Sequence, residues 1–308
     1  MKSAFIFPGQ GSQSIGMLSD LAENYAIVVD TFSEASDALG YDLWNLCQNG
    51  PVEQLSQTEF TQPALLTAGF AVWRVWQQQG GANPVVVAGH SLGEYTALTC
   101  AGAIPFDQAV TLVQHRGKYM QTAVPEGEGA MAAIIGLSDE EVIKACEKAS
   151  ANGIVQAVNF NAPGQVVVAG EKKAIDASVE IFKEAGAKRA LPLPVSIPAH
   201  CSMMSSAAEK LQERISSVDL AMPEFPVIHN CNLKIAASVE EIKSNLVTQL
   251  DSPVLWVKSI EKMVTDFGVE KTIESGPGKV LSGMIKRINR DVTAVAIDET
   301  KTMQSELA

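Results

Sequence analysis

The stretch Val85-Val86-Val87-Ala88-Gly89-His90-Ser91-Leu92-Gly93 indicates how this chain folds. Its apolar, valine-rich start predicts a strand over residues 85–88 that is buried on both faces. A helix is predicted to begin at Ser91 and to end at Gly102. Glycines at positions 89 and 93 permit a tight turn between the two elements. The stretch therefore predicts a strand–turn–helix unit of an α/β protein, with a serine at the turn.

The alternation of strands and helices continues on both sides of this unit, which favours the α/β class with a mainly parallel sheet. The further predicted elements are a buried strand at 4–7, helices at 106–121, 238–250 and 252–268, and a strand at 271–274. In the helix at 252–268, Pro253 takes the first helical position. The polar tail after Asp298 is predicted to be mobile.

The middle of the chain has a different pattern. Strands at 130–135, 154–159, 166–169 and 189–193 alternate with helices at 138–150 and 171–185, and a turn joins the second and third strands at 161–164. This β-α-β-β-α-β order is the ferredoxin-like pattern. We therefore predict a small ferredoxin-like domain at 128–195, inserted into a larger domain formed by 1–127 and 196–308.

Composition excludes several classes of function. The 308 residues carry 35 acidic and 23 basic side chains, hence a net charge of −12, which disfavours nucleic acids and anionic membranes. No apolar run approaches the 18 residues of a membrane span. The five cysteines are scattered without a C-x-x-C pair, so neither a zinc site nor a redox pair is indicated. We predict a cytoplasmic protein.

Ser91 stands in Gly89-His90-Ser91-Leu92-Gly93, which matches the G-x-S-x-G nucleophile elbow. A strand before it and a helix after it are the context that this motif requires. The turn is predicted to hold Ser91 at a helix N-terminus, where backbone N–H groups point outward. We interpret Ser91 as a nucleophile; the structural alternative is a serine that caps the helix.

A serine nucleophile requires a base, and the chain has four histidines. His200 lies in a loop just after the predicted small domain, where catalytic groups are often carried. His90 adjoins Ser91, but its side chain should leave the turn in another direction. His115 lies on a helix and His229 in a short strand-like stretch. The pattern favours His200 as the base and the other three as structural residues.

Two further features are candidates for substrate binding. The N–H of Leu92 is one expected oxyanion-hole donor, and the Gly9-Gln10-Gly11 loop is a candidate for the second, or else a plain glycine turn. The loop lacks the lysine of a phosphate-binding loop, because Met17 stands in its place. Arg116 offers a planar fork that matches a carboxylate. Its alternatives are a surface arginine and a structural ion pair.

Together these residues resemble the malonyl-CoA–acyl carrier protein transacylase family, the malonyltransferases of type II fatty acid synthesis. The resemblance covers nearly the whole chain, and the order and spacing of its motifs are specific. The motifs are Phe7-Pro8-Gly9-Gln10-Gly11-Ser12-Gln13, Gln62-Pro63-Ala64, Gly89-His90-Ser91-Leu92-Gly93-Glu94-Tyr95, Arg116-Gly117, Met120-Gln121, Asn159-Phe160-Asn161, Gln165-Val166-Val167, Pro198-Ala199-His200-Cys201-Ser202-Met203-Met204 and Gly276-Pro277-Gly278-Lys279-Val280-Leu281.

The resemblance implies a large α/β-hydrolase-like domain with a ferredoxin-like insert, and it assigns roles to individual residues. Ser91 is the nucleophile and His200 its base. Further implied roles are the oxyanion-hole amides of Gln10 and Leu92, the malonyl carboxylate partner Arg116, the backbone carbonyl of Gln249 that orients His200, and the cleft residue Asn159. No metal or bound cofactor is implied.

The resemblance also implies the reaction and the partners. Malonyl-CoA acylates the serine, CoA leaves, and the phosphopantetheine thiol of acyl carrier protein takes the malonyl group. The carrier proteins of this family are acidic, so the chain needs a local basic patch to bind one. The candidate clusters are Lys188-Arg189 and Lys286-Arg287 with Arg290. The family suggests a monomer.

Three alternatives stay open at this point. A serine thioesterase or esterase would need an acidic third member, for which Asp251 is the nearest candidate. A carrier-protein-binding module would have a degenerate site. An acyltransferase of polyketide-type synthesis would use the same chemistry on another extender acid. Cys201, next to His200, either tunes the site or packs in the core.

Overall fold

Two separate sheets organise the chain. The computed structural model describes residues 1–195 and 197–308. The strands in these ranges are β1 (Ser3–Phe7), β2 (Val86–Gly89), β3 (Gly129–Ile135), β4 (Val155–Ala162), β5 (Gln165–Glu171), β6 (Arg189–Pro192), β7 (Lys271–Glu274) and β8 (Thr293–Ala296). One sheet is parallel, with order β2-β1-β7-β8, and the other is antiparallel, with order β4-β5-β3-β6. The predicted α/β class with a parallel sheet is confirmed.

Helices cover both sheets. Those in the described ranges are α1 (Ser19–Asn24), α2 (Ile27–Leu39), α3 (Leu43–Asn49), α4 (Val52–Leu55), α5 (Thr58–Gln78), α6 (Leu92–Cys100), α7 (Phe106–Ala123), α8 (Asp139–Ala149), α9 (Lys172–Glu184), α10 (Ser205–Ile215), α11 (Val239–Thr248), α12 (Trp256–Phe267), α13 (Val280–Ile288) and α14 (Thr300–Leu307). Within the same ranges, none of them has the length and apolar character needed to cross a membrane.

Strand β1 lies inside the parallel sheet and is buried on both faces, as its apolar sequence predicts. Phe5 and Phe7 pack on one face, where the Phe5 ring meets Trp73 and Trp76 of α5 edge to face. Ala4 and Ile6 pack on the other face against α12. Such burial requires helices on both sides of the sheet. The carboxyl ends of β1 and β2 coincide, because Phe7 pairs with Gly89.

The antiparallel sheet has one helix-covered face and one face turned toward the rest of the protein. Ile134, Val166 and Val168 pack against α8 and α9. On the opposite face, Met131 and Val167 pack with Cys201. Because residues alternate between the faces of a strand, this sheet can bury helices on one side and cover the loop after β6 on the other.

The segment before α12 is attached to the antiparallel sheet, where Val254 pairs with β4. Its N–H donates to the Val158 carbonyl at 2.8 Å, and its carbonyl accepts from the Phe160 N–H at 3.0 Å. The prediction that a helix begins at Ser252-Pro253 is therefore wrong: α12 begins at Trp256, because the preceding residues are extended against β4. The predicted end at Gly268 is confirmed by its left-handed backbone.

Two other local predictions are corrected. Residues after Asp298 form α14, which buries Met303 in the main core, so this segment is packed rather than mobile. The turn between β4 and β5 contains only residues 163–164, because Asn161 and Ala162 are buried in β4. The capping box that opens α8 is formed as predicted.

Candidate active site

Ser91 occupies the turn between β2 and α6, in a backbone conformation that few residues adopt. Its φ is 53° and its ψ is −108°. The turn is tight: a Cβ on Gly89 would lie 1.8 Å from the Gly93 carbonyl carbon, and one on Gly93 would lie 2.0 Å from the Phe7 carbonyl oxygen. Only glycine fits at both positions. The strand–turn–helix geometry required of a nucleophile elbow is therefore present around Ser91.

His200 lies beside Ser91, although 109 positions separate the two residues in the sequence. Its Nε2 is 2.7 Å from Ser91 Oγ, and its Nδ1 is 2.7 Å from the backbone carbonyl oxygen of Gln249. A carbonyl oxygen only accepts hydrogen bonds, so Nδ1 carries the proton. Nε2 then presents a lone pair to the serine hydroxyl, which is the tautomer that a general base requires.

The environment keeps the His200 imidazole neutral. Burial is the main cause that lowers its pKa to about 3, and the nearby Arg116 cation lowers it further. The hydrogen bond to the Gln249 carbonyl acts in the opposite direction. At neutral pH, His200 is therefore available to accept a proton.

The other histidines have partners outside this pair. His90 Nε2 is 2.7 Å from Asn161 Oδ1, which links the elbow to β4. His115 Nδ1 is 2.8 Å from the Thr111 carbonyl oxygen. His229 Nδ1 is 2.6 Å from Glu94 Oε1. These contacts are those of structural histidines, as the sequence favours.

Arg116 is fully buried, so it is not a surface arginine. Its Nη1 donates to Gln62 Oε1 at 2.9 Å, and its Nη2 donates to Gln249 Oε1 at 3.0 Å and to Ser91 Oγ at 3.3 Å. Burial lowers the pKa of the guanidinium. None of the ion pairs among residues 1–195 and 197–308 includes it. Two neutral amide oxygens therefore hold a cation that has no carboxylate partner in the part of the chain that the structure describes.

A cavity of about 820 Å³ opens onto Ser91 and His200 and is lined by the loops after β1 and β2 and by strands of the antiparallel sheet. Most of the predicted site residues line it, namely Gln10, Ser91, Leu92, Arg116, Asn159 and His200. Gln249 lies behind the wall, fully buried at the end of α11, and reaches the cavity through Arg116 and His200. The tertiary structure thus brings all seven predicted residues together.

The Gly9-Gln10 loop packs on the elbow. A Cβ on Gly9 would lie 2.5 Å from the His90 carbonyl oxygen. This approach places the loop after β1 next to the serine, because the carboxyl ends of adjacent parallel strands meet at one edge of the sheet. The side chain of Gln10 donates to Thr58 Oγ1 at 3.3 Å.

The sequence analysis assigns no role to one buried carboxylate beside the site, although Glu94 is part of the elbow motif. Glu94 on α6 is fully buried and accepts hydrogen bonds from the Asn230 N–H at 2.9 Å and from Gln249 Nε2 at 2.8 Å. Its sequence signal is a single charged residue within the otherwise uncharged segment of α6, three positions after Ser91. In the described ranges, no group of three or more histidine, cysteine or acidic side chains could hold a metal ion.

Comparison with known proteins assigns the class. A family model described as "Acyl transferase domain" matches residues 4–302. The malonyl CoA-acyl carrier protein transacylase of Escherichia coli strain K12 is 56% identical over 304 residues, which cover 99% of this chain and 98% of the relative. The same-named protein of Bacillus subtilis strain 168 is 44% identical, with coverage of 98% and 95%.

Solved structures agree. A crystal structure of an acyl carrier protein S-malonyltransferase from Vibrio cholerae matches with a TM-score of 0.97 at 54% identity, covering 99% of each chain. A malonyl-transacylase in complex with a type II PKS acyl-carrier protein matches with a TM-score of 0.98 at 52% identity, covering 100% of this chain and 99% of that one. The fold and the comparisons define an acyltransferase. Within that class, the chain belongs to the malonyl CoA-acyl carrier protein transacylase family.

Proposed function

We propose that this acyltransferase transfers the malonyl group from malonyl-CoA to the phosphopantetheine thiol of acyl carrier protein, through a malonyl ester of Ser91, and so supplies fatty acid biosynthesis. The names of the relatives support the donor and the acceptor. The observation that carries the assignment of the site is the position of one hydroxyl. Ser91 Oγ lies 2.7 Å from a neutral imidazole and 3.3 Å from a buried guanidinium.

The first half-reaction acylates Ser91. As Oγ attacks the thioester carbon, His200 Nε2 accepts the hydroxyl proton. The backbone N–H groups of Leu92 and Gln10 stabilise the oxyanion that forms. The carbon–sulfur bond then breaks, and the proton passes from His200 to the departing thiolate of CoA. The products are free CoA and the malonyl ester.

The second half-reaction reverses these roles. His200 takes the proton of the phosphopantetheine thiol, and the sulfur attacks the ester carbon. The bond to Ser91 Oγ breaks, and Oγ recovers its proton from His200. Free CoA leaves before the carrier protein arrives, so the kinetics are ping-pong.

Arg116 selects the substrate by charge. The carboxylate at the far end of a malonyl group pairs with the guanidinium, whereas an acetyl group leaves this buried cation without a counter-charge. Leaving a buried charge unpaired costs on the order of 3–5 kcal/mol. Asn159 lines the same cavity and bounds it on the side of β4. The site therefore favours an acyl group that ends in a carboxylate.

The carrier protein is proposed to bind a basic patch at the cavity mouth. The basic patch consists of the exposed side chains of Lys188, Arg189, Lys286 and Arg287. Helix α13, which carries Lys286 and Arg287, lines the cavity through Val280 and Met284. A basic patch there offsets the net charge of −12 for an acidic partner.

Pairing across the antiparallel sheet supports one continuous patch. Arg189 pairs with Ile135, and Ile135 pairs with Gln165. Strands are about 4.8 Å apart, so the backbones of Arg189 and Gln165 are about 10 Å apart. Arg287 donates to Gln165 Oε1 and to the Pro163 carbonyl oxygen. The two basic clusters therefore lie at the same end of this sheet.

The finer description of the fold is part of the proposal. The strand order β4-β5-β3-β6 with two helices on one face supports a ferredoxin-like domain at 128–195. The parallel sheet draws its strands from both ends of the chain, which supports an α/β-hydrolase-like domain formed by 1–127 and 196–308. A monomer in the cytoplasm remains our prediction.

The hydrolase alternative lacks its third member. His200 Nδ1 is bonded to the Gln249 carbonyl, and Asp251 Oδ2 instead accepts from Ser205 Oγ at 3.4 Å. An acyltransferase for polyketide-type synthesis keeps one supporting observation, because the 52% identical structure holds a type II PKS acyl-carrier protein. That structure is itself named a malonyl-transacylase, so it supports a polyketide carrier protein as partner and gives no support to another extender acid.

Intact-protein mass spectrometry tests the proposal. The protein is mixed briefly with malonyl-CoA or with acetyl-CoA, and Ser91→Ala and Arg116→Ala are treated in parallel. We expect a malonyl adduct on the wild type that is absent from Ser91→Ala, reduced in Arg116→Ala and removed by holo acyl carrier protein. Rapid release of CoA without an adduct would indicate a thioesterase. The absence of both a malonyl adduct and CoA release would indicate a binding module.

A further inference from the structure

Glu94 is a buried negative charge that the proposed mechanism does not use. It is fully buried, and three donors face its carboxylate: His229 Nδ1 at 2.6 Å, the Asn230 N–H at 2.9 Å and Gln249 Nε2 at 2.8 Å. A carboxylate only accepts hydrogen bonds, so each of these contacts has a single polarity. A buried charge is tolerated when it is bonded in this way. We call Glu94, His229, Asn230 and Gln249 the Glu94 cluster.

The Glu94 cluster holds the strained backbone of Ser91. Asn230 Oδ1 accepts the Ser91 N–H at 2.8 Å, while Asn230 Nδ2 donates to the Gly89 carbonyl oxygen at 2.8 Å. Gln249 Nε2 donates to the Ser91 carbonyl oxygen at 3.0 Å. Strained conformations of this kind persist where the surroundings over-determine them. Two residues bonded to Glu94, Asn230 through its backbone N–H and Gln249 through its amide, thus contact both peptide groups of the serine.

The same carboxylate fixes the orientation of the Gln249 amide. The amide nitrogen faces three acceptors, namely Glu94 Oε2, the Ser91 carbonyl oxygen and, at 3.5 Å, Asn230 Oδ1. Its oxygen therefore faces the guanidinium of Arg116, 3.0 Å from Nη2. A rotation of the amide by 180° would place its N–H groups against those of the guanidinium. The carboxylate thus controls a residue that holds Arg116, with the Gln249 amide between the two charges.

We propose that Glu94 is a positioning residue that confers selectivity for an acyl group ending in a carboxylate. It does so by orienting Gln249, which in turn holds Arg116 at the serine. The amide between Glu94 and Arg116 keeps the two charges from forming a direct ion pair, so that the cation is left to the substrate. This inference rests on the proposed function of Arg116.

A double-mutant cycle tests the proposal, with acylation rates measured by quenched-flow mass spectrometry. The readout is the ratio of kcat/KM for malonyl-CoA to that for acetyl-CoA. A decrease in kcat/KM that is equal for both substrates reports on the elbow. An additional decrease for malonyl-CoA alone reports on Arg116. In Glu94→Gln, one amide oxygen replaces two carboxylate oxygens that face three donors. We expect the ratio to fall about tenfold, the effect of one hydrogen bond to a charged group.

The cycle adds Glu94→Gln to Arg116→Ala. If Glu94 acts through Arg116, the double variant has the same ratio as Arg116→Ala alone, because coupled effects are not additive. An unchanged ratio in Glu94→Gln would overturn the proposal. So would a double variant whose two effects multiply, since Glu94 would then act independently of Arg116.

Two further variants keep the test decisive. Thr99 is a buried residue of the same helix, and its hydroxyl donates to the Tyr95 carbonyl oxygen. Thr99→Val removes this hydrogen bond and should leave the ratio of malonyl-CoA to acetyl-CoA kcat/KM unchanged. If Glu94→Gln does not fold, Gln249→Met removes the amide but keeps the backbone carbonyl. Its ratio should also fall, and an unchanged ratio would contradict the proposal. Absence of a malonyl adduct on the wild type would instead refute the proposed function itself.

Discussion

The imidazole Nδ1 of His200 lies 2.7 Å from the backbone carbonyl oxygen of Gln249, where a serine triad ordinarily has a carboxylate. The carbonyl orients the ring and sets its tautomer, but it adds no negative charge to the site. Gln249 also contacts Arg116 through its side chain. One residue at the end of α11 therefore positions the base with its backbone and the cation with its amide.

Removal of the nearest acid should have little effect on catalysis. Asp251 bonds to Ser205 and not to His200, so Asp251→Asn should keep kcat/KM for malonyl transfer within about twofold of the wild type. Steady-state transfer to acyl carrier protein measures this. In a serine triad, the loss of the acid lowers kcat about 10⁴-fold. A loss of that order would favour the hydrolase interpretation.

The protein should lose stability as the pH falls below about 6.5. The pKa of His200 is lowered to about 3 by burial, and burial also lowers the pKa of His90. Between about pH 6.5 and 3 the unfolded chain binds a proton at His200 that the folded chain does not, so stability rises with pH across this window. One such proton contributes about 1.4 kcal/mol per pH unit.

Urea unfolding of the wild type and of His200→Gln at pH 6 and pH 4.5 checks this expectation. The variant cannot take up that proton, so its free energy of unfolding should depend less steeply on pH. Equal slopes in the two proteins would contradict the lowered pKa of His200.

Two glycine substitutions should have opposite effects on stability. A Cβ at position 93 would lie 2.0 Å from a backbone oxygen of the buried strand β1, so Gly93→Ala should destabilise by about 1–3 kcal/mol or more and abolish acylation. Gly283 lies on α13 with no atom within 4 Å of an added Cβ. Gly283→Ala should stabilise by about 0.5–1 kcal/mol. Denaturant midpoints measure both, and a stable, active Gly93→Ala would refute the close approach of α6 to β1.

Charge reversal in the basic patch should affect the carrier protein alone. The variant Arg189→Glu/Lys286→Glu should raise KM for acyl carrier protein about tenfold or more at low salt and less at high salt, with acylation by malonyl-CoA unchanged. Lys148→Glu is the control, because Lys148 is an exposed lysine on α8 that pairs with Glu184. An unchanged KM in the double variant would exclude this patch as the docking surface.

Local signals predicted the elements well where the residues that decide them are close in sequence. The Ser138 capping box and the strand–turn–helix at Ser91 are set by residues a few positions apart. The start of α12 was predicted too early, because the pairing of Val254 with β4 joins residues about a hundred positions apart. The tail after Asp298 is polar overall, yet Met303 docks in the core.

For the site, the pattern alone favoured Ser91 and His200 but left Arg116 open between a surface position and a ligand-binding one. Burial excludes the surface position, and the binding of a substrate carboxylate by Arg116 stays a prediction. The sequence predicts no role for Glu94, because that role depends on Asn230 and Gln249, which lie 136 and 155 positions away.

The α/β class, the elbow at Ser91 and the family follow from the amino-acid sequence, because strand burial, glycine turns and motif spacing are local properties. The folded chain adds that Arg116 is buried beside the serine, that Asp251 bonds to Ser205 instead of His200, and that a buried carboxylate stands behind Arg116. These relationships join distant segments through hydrogen bonds in a buried site. Such bonds depend on atomic positions that sequence spacing does not specify.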